Sequence, residues 1–145
     1  MLSRCMDEQR SDFTNCYGCG PDNPIGLRLK YSFIGERSHI EFEVGPEHCG
    51  YPGLMHGGVT CVLFDEAMYH VIARTVPEVV TISMAVDYKS PGFEGHRLIC
   101  EAWVEKREGR RIDVSSSLVD GLTKKVVAEA RAVYQEVDLK RIIGR

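Results

Sequence analysis

The chain has 145 residues, 43% hydrophobic and 27% charged, the profile of an ordinary folded protein rather than a disordered or fibrous one. A net charge of −3 leaves no basic surplus for a nucleic-acid backbone, and no charge-free apolar run reaches the roughly 18 residues of a membrane span. The opening MLSRCMDEQR has no signal-like apolar stretch, which predicts a cytoplasmic protein whose six cysteines stay reduced.

In chain order, residues 1–15 are polar and predict a loose or short helical lead-in. CYGCGPDNPIGL follows, dense in turn formers, so residues 1–26 are expected to be a lead-in and cap on a single domain spanning 1–145. LRLKYSF (27–33) and SHIEFEV (38–44) alternate apolar and polar residues across a short turn and predict a hairpin. A turn-rich connection, GPEHCGYPG (45–53), leads to a run of apolar residues from Val59 to Ile72, helical by length and apolar nearly all round. Such a helix is wrapped by other structure rather than laid on a surface, and Pro77 stops it.

Four more strands are expected, VVTISMAVDY, RLICEAWVEK, RIDVSSSLVD and KKVVAEARAVYQEV, separated by Gly-rich turns. The last carries helix-forming Ala and Glu, but its alternation favours a strand. Because sequential strands usually lie side by side, these four predict a meander. The architecture is then α+β: one antiparallel sheet of five to six strands curled around a central helix. Apolar surface left uncovered by so small a unit predicts a homo-oligomer.

The chemistry concentrates in LMHGGVTCVLFDEAMYH (54–70). A helix start offers unpaired N–H groups and a partial positive charge, and glycine lets a ligand approach that backbone. His56-Gly57-Gly58 therefore suits an oxyanion, while glycines that merely ease packing fit equally well. Asp65 shares the face of Gly58 but lies about 10 Å along the axis. Two antiparallel helices about a twofold axis bring Asp65 of one chain to the glycines of the other. There it can act as general base or nucleophile. Glu66 points about 100° away. A purely structural role for either acid is the bland alternative.

These residues resemble the hotdog-fold acyl-CoA thioesterases of the PaaI-like branch. The resemblance rests on HGGVTCVLFDEAM (56–68), with CYGCGPDNPIGLRL (16–29), GYPGLMHGG (50–58) and DYKSPGFEG (87–95) in support. It implies an oxyanion hole at Gly57 and Gly58, a loop shaped by His56 and an acid at Asp65 acting on acyl-CoA at a subunit interface. It implies no metal and no redox cofactor. The turn Lys89-Ser90-Pro91 resembles the region where that family holds coenzyme A, and Lys89, Arg107, Arg110 and Arg111 are candidates for its phosphates, with a plain surface role the commoner alternative. Some relatives carry Asn six positions before the motif histidine; here Gly50 stands there, with Ser83 as a substitute helper.

Other readings compete. Cys16 and Cys19 form half a zinc site if His48 and Cys49 complete it, but a closed site needs four well-spaced ligands and no second CxxC exists. Cys61 is expected to pack rather than react. Phe64 and Met68 are expected to shape the acyl pocket. A non-catalytic acyl-CoA-binding protein and an enoyl-CoA hydratase or dehydratase are alternatives on the same fold.

Overall fold

Helix α1 (Gly57–Ala73) starts at the glycines and runs through the apolar segment. It lies against a six-stranded antiparallel sheet in the computed structural model, which describes residues 13–144. Most of the lead-in expected over residues 1–15 falls outside the described residues. The strands are β1 (Tyr31–Ile34), β2 (Arg37–Glu43), β3 (Val79–Tyr88), β4 (Arg97–Glu108), β5 (Arg111–Asp120) and β6 (Val126–Glu136), followed by a short helix α2 (Leu139–Ile143). Among the described residues no helix is long and apolar enough to cross a membrane.

The core forms between α1 and the inward side chains of the sheet. Leu63, Phe64, Ala67 and Met68 on α1 are fully buried, as are Leu98, Cys100 and Ala102 on β4 and Leu118 on β5. Burying such side chains is worth about 1.5–3 kcal/mol each against leaving them in water. Phe64 and Met68, at 0% exposure, therefore belong to this core and line neither cleft described below. Polar pins add to the apolar contact. Ser38 Oγ donates to Ala67 O (2.6 Å) and Cys100 Sγ to Leu63 O (3.6 Å).

Two expectations need correction. The first strand begins at Tyr31 rather than Leu27, because Arg28 adopts φ 51° and Leu27 and Leu29 instead donate backbone bonds to Tyr17 and Gly18 of the cap. The four later strands are not a simple meander. The sheet order is β1-β2-β4-β5-β6-β3, so β2 pairs with β4 and β3 joins the far edge beside β6. Only β4, β5 and β6 follow one another. The largely exposed β3 suits an edge, whereas β5 is buried along most of its length and suits the interior. The strand assignment for the Ala-rich β6 holds. Helix α2 was not expected; Asp138 caps its start and Gly144, at φ 74°, ends it.

Candidate active site

Each end of the chemistry lies in its own cleft. The first, of about 490 Å³, is lined by Gly50, Tyr51, Leu54, Met55, His56, Gly57 and Pro91. His56 is the N-cap of α1, and its Nδ1 accepts the Gly58 N–H at 2.9 Å. That bond fixes the imidazole with any single proton on Nε2. It also occupies one of the two expected oxyanion donors, so Gly58 serves the cap and only Gly57 N–H is without a protein acceptor among the described residues. Tyr88 OH donates to Gly57 O at 2.7 Å and braces the turn. Burial, and then Cys61 at 3.5 Å, pushes the Tyr88 phenol up to about 12. A methyl group on Gly50 would meet the His56 ring at 3.3 Å; Gly50 brings no polar side chain in place of the Asn of some relatives.

The second cleft, of about 450 Å³, holds Asp65 and Glu66 beside Tyr69, His70, Pro77, Val79, Val80, Thr81 and Tyr134. Asp65 is half-buried. Its Oδ1 accepts from Tyr134 OH at 2.6 Å and Thr81 OH at 2.8 Å. Burial, and next the Asp65 charge, drives the Tyr134 phenol well above its usual range, so it remains a donor. Both donors fall on Oδ1, Oδ2 has no protein donor among the described residues, and Asp65 lines the cleft. Asp65 is thus oriented but not sealed.

Thr81, rather than Ser83, supplies the strand hydroxyl. A bulge between them pairs Thr81 with Tyr134 but Ser83 with Val133, which faces away from α1, and Ser83 is exposed. Glu66 turns from Asp65 as its helical position requires and meets His70 Nε2 at 3.2 Å.

The expected coenzyme A contacts divide between the two ends of the sheet. Ser90 Oγ is bonded to Val126 O and Pro91 lines the helix-start cleft, next to Lys89 at the end of β3. Arg110 lies at the opposite end, where its Nε donates to Glu136 O, roughly 25–30 Å away by strand rise. Arg107 is paired with Glu136 at 2.9 Å and Arg111 with Asp113 at 3.1 Å, so both guanidinium groups already have partners. His48 and Cys49 do not join Cys16 and Cys19: His48 Nδ1 accepts from Gly45 N, and Cys49 Sγ lies near Gly45 O.

A long helix held by one antiparallel sheet, with glycines at its start and an acid in its middle, defines a hotdog-fold protein. A thioesterase superfamily sequence profile matches residues 52–127. The chain belongs to the thioesterase superfamily.

Among its relatives, an acyl-coenzyme A thioesterase THEM4 of Xenopus laevis is 31% identical over 134 residues, covering 92% of this chain and 55% of that protein. A Bos taurus protein of the same name is 27% identical and is covered over 56% of its length. The chain thus spans about half the length of the curated relatives it matches. In fold, the E. coli PaaI protein from the phenylacetic acid degradation operon superposes with a TM-score of 0.72 at 20% identity, covering 77% of this chain and 81% of that one.

Proposed function

We propose that this chain hydrolyses acyl-CoA thioesters to the free acid and coenzyme A, at a site shared between two copies of the chain. The observation that carries this reading is that α1 bears two half-sites it cannot join by itself. Gly57 and Asp65 are eight residues, about 12 Å, apart on one rigid helix and open into separate clefts. A second copy packed antiparallel sets the Asp65 of one chain against the Gly57 of the other. It also brings the Pro91 end of one sheet toward the Arg110 end of its neighbour.

In this reading Asp65 Oδ2 takes a proton from water as the water oxygen attacks the thioester carbonyl, or attacks that carbon itself to form an anhydride that water then hydrolyses to the free acid. Gly57 N–H stabilises the negative oxygen, aided by the helix dipole. Collapse breaks the C–S bond, and the departing thiolate takes up a proton. Tyr69, Pro77, Val79 and Val80 give the Asp65 cleft an apolar wall, which suits an aryl or medium-chain acyl group. Arg110 and Lys89 are the cations offered to the coenzyme A phosphates. The names of the THEM4 relatives support the same substrate class.

Thiol release from a panel of aryl and aliphatic acyl-CoAs tests this, with Asp65→Asn run beside the parent. Loss of about 10²–10⁴-fold in turnover with the fold intact is expected for removal of a general base. Full activity in the variant removes Asp65 from the mechanism. Binding of acyl-CoA with no hydrolysis by the parent makes the protein an acyl-CoA-binding one instead.

A further inference from the structure

One cluster on the wall of the Asp65 cleft has no task in this chemistry. Cys16 and Cys19 on the cap and Glu66 on α1 each bring one potential ligand atom within 4.8 Å of the other two. Cys16 Sγ is 3.5 Å from Glu66 Oε1. Thiolate sulfur at about 2.3 Å and carboxylate oxygen at about 2.0–2.2 Å from a tetrahedral zinc define a sulfur–oxygen edge of about 3.5–3.7 Å, so the spacing already matches.

The surroundings are built for Glu66 to reach this point. Any side chain on Gly18, between the two cysteines, would overlap the Glu66 carboxylate. Oε2 of Glu66 is 3.2 Å from His70 Nε2, and the His70 ring stacks on Tyr31 at 3.6 Å. A metal-bound carboxylate commonly has its spare oxygen held in this way.

We propose that Cys16, Cys19 and Glu66 bind one thiophilic divalent ion of the zinc class, with a fourth coordination position open to the Asp65 cleft and His70 as the positioning residue behind Glu66. On binding, bonds form from the ion to both sulfurs and to Glu66 Oε1. The two thiol protons pass to the buffer, and nothing is oxidised or reduced. The ion ties the cap to α1 and completes that wall of the cleft. This binding is independent of whether the cleft cleaves thioesters.

The full reduced chain is titrated with Co²⁺, a zinc surrogate whose thiolate bonds absorb light. One equivalent is expected to produce a thiolate-to-cobalt charge-transfer band, displaced by one equivalent of Zn²⁺ and accompanied by proton release. Cys16→Ser and Cys19→Ser are each expected to abolish the band, and Cys49→Ser to leave it. His70→Gln is expected to weaken metal affinity about 10–100-fold, with the circular dichroism unchanged. A folded, reduced parent that gives no band overturns the proposal, as does a band that survives both Cys16→Ser and Cys19→Ser. Should either serine variant fail to fold, alkylation of the parent decides. Zn²⁺ is expected to protect Cys16 and Cys19 but not Cys49, and equal labelling with and without Zn²⁺ overturns the site.

Discussion

Asp120 shows how one side chain holds a turn together. It is buried at the end of β5, where Oδ2 meets His96 Nδ1 at 2.7 Å and Oδ1 accepts the N–H groups of Leu122 and Thr123. Burial raises its pKa, but the His96 bond and then the two backbone bonds outweigh that, and the carboxyl sits below its reference value of 3.8. A depressed folded-state pKa makes the stabilisation complete above the unfolded value and lost as pH falls through the lower folded one. Asp120→Asn is therefore expected to lower the urea midpoint at neutral pH, with the gap from the parent narrowing below pH 3.8. A gap that stays constant through that acid range refutes the assignment. Asp65 is the contrasting acid, a residue of the cleft wall with one oxygen committed to Thr81 and Tyr134.

Helix α1 depends on its start as much as on its buried face. His56 is an unusual N-cap, using an imidazole nitrogen where Ser, Thr, Asp or Asn is usual. His56→Ala is expected to cost about 0.5–2 kcal/mol in urea unfolding, the range for loss of a cap. A variant as stable as the parent means that the imidazole is not capping.

The existence of α1 and of the six strands was legible in the sequence because alternation and apolar runs are local signals. The span of α1 and the placement of β4 and β5 followed from them. Pairing is not local. β3 was expected beside β4, and nothing within either strand reports that β3 crosses to the edge at β6. The bulge that exchanges Ser83 for Thr81 at Asp65 arises from that pairing, and so was equally hidden. Commitment of the Gly58 N–H to its own neighbour, and the meeting of Cys16 with Glu66 fifty residues away, likewise needed three dimensions.

At the scale of the whole molecule, β3 presents a ten-residue edge with Ile82 56% exposed. Such an edge invites a second strand or must be covered. The proposed shared site makes a prediction that a site within one chain does not. Gly57→Pro deletes the oxyanion N–H yet suits the first helical position, and His56 already has the extended backbone that a following proline requires. Asp65→Asn and Gly57→Pro are each expected to be inactive alone. Refolded together as dimers, half the molecules are mixed and each carries one intact site, so about a quarter of parent activity returns. No recovery in verified mixed dimers refutes the shared site.

The pins from Ser38 and Cys100 grip carbonyl oxygens of α1 rather than its side chains. Because every residue type supplies a carbonyl, the depth and rotation of the helix are set largely by the sheet. An engineer seeking a different acyl preference can therefore randomise Tyr69 and Val80, on the cleft wall, while the rod that carries Asp65 keeps its bearings.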